Sequence, residues 1–245
     1  GGPAQLLASG LSSPNQLFVN DQHAYWTRTM IDGAVERIPI DGSESVEVIA
    51  GGQVAPIGIT GDGESVYFTT TDGYVKSHPL AVDVMSSTVI LSKQHSTPSL
   101  LTLSGGGLYF AEYSDAGGVF RLDLGTHAEQ SLAMGQTTPN AVVVSDKVYF
   151  TTTRVGGAVN RVDVPDEAPT QFAADQNQPA GLAADELYVY WANFGDGTIR
   201  RLKKGGGTPE ILASGQRSPN GIAVDDEAIY WTNFELDAAV MKLAK

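Results

Sequence analysis

Apolar and polar positions alternate in short runs along the whole chain, and each run is closed by proline, glycine, asparagine or aspartate. Residues 207–245 show the pattern most clearly. Pro209 to Ala213 reads as one strand, and Ser214 to Pro219 as a polar loop. Asn220 to Val224 is a second strand of small and branched residues. Asp225-Asp226 is a tight turn, and Ala228 to Thr232 is a third strand with apolar residues on both faces. Phe234 to Asp237 is a loop, and Ala239 to Leu243 closes the unit. Alternation at period two between turn residues predicts short antiparallel strands, and no window sustains a helical period.

The same unit is written six times. A proline opens each copy, at Pro14, Pro56, Pro98, Pro139, Pro179 and Pro219, with spacings of 42, 42, 41, 40 and 40 residues. An aromatic pair follows each one: Tyr25-Trp26, Tyr67-Phe68, Tyr109-Phe110, Tyr149-Phe150, Tyr190-Trp191 and Tyr230-Trp231. A fixed period near 40 residues with four short strands per unit predicts an all-β, six-bladed β-propeller with four-stranded blades. The expected blades are residues 14–50, 56–92, 98–133, 139–173, 179–213 and 219–245 plus 4–8, in one domain over 1–245. The strand after the proline is predicted to be innermost and the aromatic strand second, with its rings packed between blades. Residues 2–15 repeat the phrasing of 207–220, so the chain starts in the phase of a fourth strand and ends after a third. Pairing of 4–8 with 238–244 would therefore close the ring and leave no open sheet edge.

Composition narrows the function more than it defines it. The 28 acids against 15 bases give a formal charge of −13, the opposite of a nucleic-acid footprint. The one dense basic cluster, Arg200, Arg201, Lys203 and Lys204, reads as a solvated outer face. The absence of cysteine excludes disulfides, thiol catalysis and cysteine zinc sites. No apolar run is long enough to span a membrane as a helix. The expectation is a monomer working outside the cytoplasm, secreted or periplasmic, whose leader is not visible.

The candidate site follows from asymmetry among the copies. The loop before the inner strand and the loop after the aromatic strand lie on one face, here called the top. Structural demands make repeats alike, so residues that differ there are the candidates for recognition. They are Asn15, Arg28, Glu112, Tyr113, Asn140, Asn193, Phe194, Asn220, Asn233 and Phe234. Amides, aromatic rings, an acid and a base around a central mouth suit a polar small molecule or a peptide. Against this stands a structural reading, in which the asparagines cap turns and the phenylalanines pack between blades. Asp21, Asp62, Asp146, Asp185 and Asp225 recur at the opposite hairpins and are read as turn formers. The four histidines, His23, His78, His95 and His127, do not recur in phase, and no hydrolase or calcium-loop motif occurs.

The phrases Tyr25-Trp26-Thr27-Arg28, Tyr190-Trp191-Ala192-Asn193 and Tyr230-Trp231-Thr232-Asn233 resemble the YWTD repeat of six-bladed, lipoprotein-receptor-type propellers. Pro219 to Asp225 resembles NHL-like bacterial propellers. The resemblance covers all six repeats and implies the fold; such folds host binders, scaffolds, sensors and hydrolases alike. The fourth YWTD position holds Arg28, Thr70, Glu112, Thr152, Asn193 and Asn233, never the family's aspartate. Pro139-Asn140 and Pro219-Asn220-Gly221 also resemble the asparagine motif of gluconolactonase-type propellers, which hold a divalent cation such as calcium. That would imply a metal-dependent lactonase. The inner strands (15–20, 56–60, 99–104, 140–145, 180–184 and 220–224) carry no acid, leaving only Glu112 or Glu235 to reach in. A streptogramin-inactivating lyase would need a seventh blade and a catalytic histidine with no match here. The reading is a non-catalytic binding propeller without a cofactor. The alternatives are the metal-dependent hydrolase and an engineered or repeat-derived scaffold without a ligand.

Overall fold

The computed structural model describes residues 7–81, 88–163, 168–234 and 239–245, among which only strands, turns and loops occur. The strands form six antiparallel sheets. The first sheet is β1 (Pro14–Val19), β2 (His23–Arg28), β3 (Gly33–Pro39) and β4 (Glu47–Gln53). The second is β5 (Pro56–Gly61), β6 (Ser65–Thr70), β7 (Tyr74–Pro79) and β8 (Val89–Ile90). The third is β9 (Pro98–Ser104), β10 (Gly107–Glu112), β11 (Gly117–Asp123) and β12 (Glu129–Gln136). The fourth is β13 (Pro139–Val144), β14 (Val148–Thr152), β15 (Val155–Val162) and β16 (Thr170–Asn177). The fifth is β17 (Pro179–Ala184), β18 (Tyr188–Asn193), β19 (Thr198–Lys203) and β20 (Glu210–Ala213). The sixth is β21 (Pro219–Val224), β22 (Ala228–Asn233) and β23 (Ala239–Ala244). Each is an up-and-down meander in chain order, and the whole is a six-bladed β-propeller. The outer strands β4, β12 and β16 run past the ends predicted for them, to Gln53, Gln136 and Asn177.

Contacts group the chain into two compact units. One takes in residues up to Leu108 with Leu122–Ala128, and the other Tyr109–Arg121 with Glu129–Lys245. Within the first, Tyr25, Val35 and Ala50 of one sheet pack on Ile59, Val66 and Phe68 of the next. Within the second, Tyr149, Val159 and Ala173 meet Val189, Trp191 and Leu202. Tyr190, Ala192 and Ile199 likewise meet Ile229 and Trp231. The two members of an aromatic pair thus face opposite neighbours, because successive residues of a strand point to opposite faces. Trp191 and Trp231 are both buried between sheets, as the repeat predicts.

Five of the repeats open with a bulge. The register slips between Pro14 and Leu17, Pro56 and Ile59, Pro139 and Val142, Pro179 and Leu182, and Pro219 and Ile222. A bulge takes a backbone N–H out of the ladder. The threonine of the YWT phrase fills that gap. Thr27, Thr69, Thr151 and Thr232 Oγ1 accept from the N–H of Gln16, Gly58, Ala141 and Gly221 at 2.9–3.2 Å. The first three then donate to carbonyls of the following sheet, at Ile57, Ser99 and Ala180. One hydroxyl therefore completes a bulge and ties neighbouring sheets. The residue before the proline is left-handed at Ser13, Ala55, Thr138, Gln178 and Ser218, with φ between 40° and 53°.

The predicted pairing of 4–8 with 238–244 falls on residues 4–6 and 238, which lie outside the described residues. Among the described residues the sixth sheet has three strands. Leu7, Ala8 and Leu11 pack against Ala24, Trp26 and Ile38 of the first sheet.

Candidate functional site

The predicted site residues lie at the start of the first strand of a sheet, at the end of the second, or, for Tyr113, Phe194 and Phe234, on the loop that follows it. In the first unit, Asn15 is exposed on β1. Arg28 ends β2, and its Nε pairs with Glu36 Oε1 at 2.8 Å while Nη1 donates to the Asp32 carbonyl. Glu36, buried on β3, also accepts the Trp26 indole N–H at 2.8 Å. The base that breaks the six-fold likeness is therefore tied into its own sheet, where its charge compensates a buried carboxylate.

In the second unit the candidates divide by burial. Glu112 is half-buried at the end of β10, and Asn140 and Asn220 are half-buried beside their bulges. Tyr113 and Phe234 are exposed, and Phe234 is 70% accessible. Phe194 is half-buried. Asn193 is wholly buried, and its Nδ2 donates to Gln176 Oε1 at 3.1 Å and Thr198 Oγ1 at 3.3 Å. Asn233 Nδ2 makes the longer version of the same bond to Gln216 Oε1, at 3.4 Å. Gln176 and Gln216 also accept the indole N–H of Trp191 and Trp231, at 2.9 and 3.0 Å. The two asparagines thus belong to inter-strand clamps. The Oδ1 atoms of Asn193 and Asn233 are buried without a hydrogen-bond partner among the described residues.

These clamp glutamines escaped the sequence reading, although a signal was there. Gln53, Gln136, Gln176 and Gln216 each stand three residues before a repeat proline. Each turns its Nε2 onto the carbonyl two residues back, at Gly51, Met134, Ala174 and Ser214. That local bond fixes which way the amide faces, and in Gln53, Gln176 and Gln216 Oε1 meets a donor of the next sheet. Where the first copy has Leu11 in place of glutamine, Glu36 serves the Trp26 indole instead.

Three of the five turn acids behave as predicted. Asp62, Asp185 and Asp225 Oδ1 each accept two backbone N–H groups of their hairpins. Their Oδ2 atoms accept the hydroxyls of Tyr67, Tyr190 and Tyr230 at 2.7–2.9 Å. Burial alone would raise Asp185. The bonds from Lys245, Tyr190 and two backbone N–H groups outweigh it and hold the carboxyl well below its usual range. Burial and the Asp62 carboxylate push Tyr67 up to about 12. In the first hairpin Asn20, not Asp21, does this job, accepting from the N–H of Gln22 and His23. Burial, then the charge of Arg37, lowers the pKa of His78. No group of three or more histidine, aspartate or glutamate side chains that could hold a metal ion occurs among the described residues.

No known family model matches the chain, and no curated protein matches it. Solved structures do. Virginiamycin B lyase from Staphylococcus aureus superposes with a TM-score of 0.74 at 20% identity, over 94% of this chain and 79% of that one. A chain of a nidogen/laminin complex gives 0.71 at 17%, over 91% and 89%. Regucalcin, a calcium-binding protein from Agrobacterium tumefaciens, gives 0.67 at 14%, over 94% and 86%. Likeness to a lyase, a nidogen/laminin complex and a calcium-binding protein at such identities establishes one thing about this chain, its propeller fold.

Proposed function

We propose that the chain is a non-catalytic binding propeller that takes a peptide or protein segment on the loops following the second strand of each sheet. The observation that carries this reading is the exposure of apolar side chains at those loops. Val155, where its loop enters β15, is 75% and Phe234 70% accessible in the second unit, and Tyr113 stands exposed on the corresponding loop. In the first unit Ile31, on the same loop of its sheet, is 90% accessible. Aromatic and branched tips beside backbone-rich loops are the composition of an interaction surface. The similarity to a chain crystallised in a protein complex supports the same reading.

The test is selection of a displayed random peptide library on the intact chain, followed by binding measurements on the enriched sequences. Val155→Asp and Phe234→Asp should each weaken binding at least tenfold. Leu187→Asp, at an exposed apolar residue in the opposite hairpin, should leave it unchanged. Enriched peptides indifferent to both loop substitutions would overturn the reading. The likeness to a calcium-binding propeller motivates a second arm. A saturable thermal shift with calcium, accompanied by lactone hydrolysis, would favour the metal-dependent hydrolase.

A further inference from the structure

The hairpin end of the molecule carries a built-in comparison. In the second unit a lysine closes each of two seams between sheets. Lys245, the residue after β23, reaches Asp185 in the β17–β18 hairpin at 2.8 Å, with its ammonium 5.8 Å from the Tyr190 ring centre. Lys204, the residue after β19, reaches Asp146 in the β13–β14 hairpin at 3.4 Å. In the first unit the residue after β7 is Leu80, and the hairpin facing it carries Asn20 at the position of Asp185 and Asp21 at the position of Asp146.

Leu80 occupies the same backbone position as the two lysines. Its N–H donates to the Glu64 carbonyl at 2.8 Å, as Lys204 does to Leu187 at 3.0 Å and Lys245 to Glu227 at 3.1 Å. Relative to the Lys245–Asp185 seam both cation and acid are replaced, and the lysine arm that fills those two seams is missing. What is left is a cavity of about 540 Å³ whose walls include Asn20, His23, Tyr25, Arg37, Glu64 and Leu80. That volume lies within the range of small-molecule sites.

The chemistry of the walls selects the ligand. Arg37 is bound through Nε to Glu47 at 2.7 Å, and its side chain is only 12% exposed. Its terminal nitrogens make no hydrogen bond among the described residues, so a planar fork of N–H donors stays available to a carboxylate. Glu64 is the acid of the lining and is exposed, where it faces water and any cationic group entering. Leu80 and the Tyr25 ring supply an apolar wall between these charges. We propose that this seam binds a small zwitterion, a free amino acid or dipeptide, with its carboxylate on Arg37 and its ammonium toward Glu64. The site is separate from the loops of the proposed peptide surface and does not depend on them.

The experiment is a titration of the intact chain by isothermal calorimetry and amide NMR with four probes. These are L-leucine, L-leucyl-L-leucine, leucinamide (no carboxylate) and 4-methylpentanoate (no ammonium). The two zwitterions should bind saturably and shift the Gln22, His23 and Leu80 amides. Leucinamide should bind at least about tenfold more weakly, the worth of a charge-assisted pair. 4-Methylpentanoate should be weaker by a smaller factor, since Glu64 is exposed. Leu80→Lys rebuilds the arm present at Lys204 and Lys245, and should abolish binding without lowering the melting temperature. Arg37→Gln should weaken binding at least tenfold. The inference fails if neither zwitterion binds saturably, if leucinamide matches leucine, or if Leu80→Lys binds as the parent does.

Discussion

Replacing Gln176 by leucine isolates the clamp that joins the fourth and fifth sheets. The side chain is 3% exposed and its Oε1 serves two donors, Trp191 Nε1 at 2.9 Å and Asn193 Nδ2 at 3.1 Å. Leucine is close in volume and keeps the packing, so the cost is electrostatic. The Trp191 N–H, on a wholly buried side chain, loses its acceptor, and a buried orphan donor costs about 1–3 kcal/mol. Asn193 keeps Thr198 and loses one bond of two. The Ala174 carbonyl released by Nε2 belongs to an exposed residue and is met by water. The expected loss is therefore about 2–4 kcal/mol.

Urea unfolding followed by far-UV circular dichroism reads this as a fall in midpoint at constant slope. The third sheet provides the control. Gln136 holds the same place in its repeat, but the next aromatic is Phe150, which has no N–H to lose. Gln136→Leu should cost less than about 1 kcal/mol. Adding Trp191→Phe to Gln176→Leu removes the orphan donor, so the two changes should be coupled by about 1–2 kcal/mol. Equal costs for the two glutamines, or a cycle that sums without coupling, would refute the clamp.

Deleting residues 1–9 removes Leu7 and Ala8 from the Trp26 cluster together with the strand proposed to pair with β23. Stability should fall by several kcal/mol, on the order of a strand's buried side chains; an unchanged melting temperature would end the closure proposal. His78 has a folded pKa below its usual 6.5, so the unfolded chain takes up its proton first. Its stability contribution is complete above pH 6.5 and is lost as pH falls below that value. The slope of stability between about pH 7 and 5 should flatten in His78→Asn. Ala55 holds φ at 40°, and Ala55→Gly should raise stability by up to about 1 kcal/mol, with a lowered midpoint as the contrary result.

The repeat itself carried the fold. Period, prolines and aromatic pairs are local and written six times, and each sheet follows from its own forty residues through alternation and turn chemistry. The hairpin acids were legible for the same reason, because Asp62, Asp185 and Asp225 bind backbone groups two and three residues away. Partnership between sheets was not legible. Asn193 looked like a recognition residue because it breaks the YWTD phrase, yet Gln176, from the preceding sheet, takes its amide. Within a sheet the same holds: Arg28 looked like a recognition residue, yet Glu36 waits on the next strand at a position where other sheets carry Lys76, Asn160 or Arg200. A seam can be closed by Lys245 or opened by Leu80, and either residue reads from sequence as one more strand end. Local hydrogen bonding and side-chain periodicity act over a few residues and leave their mark on the chain. The pairing of buried donors and charges between sheets joins residues 15 to 60 positions apart, as in Trp191 with Gln176, Thr27 with Ile57 and Lys245 with Asp185, and only tertiary structure brings them within about 3 Å.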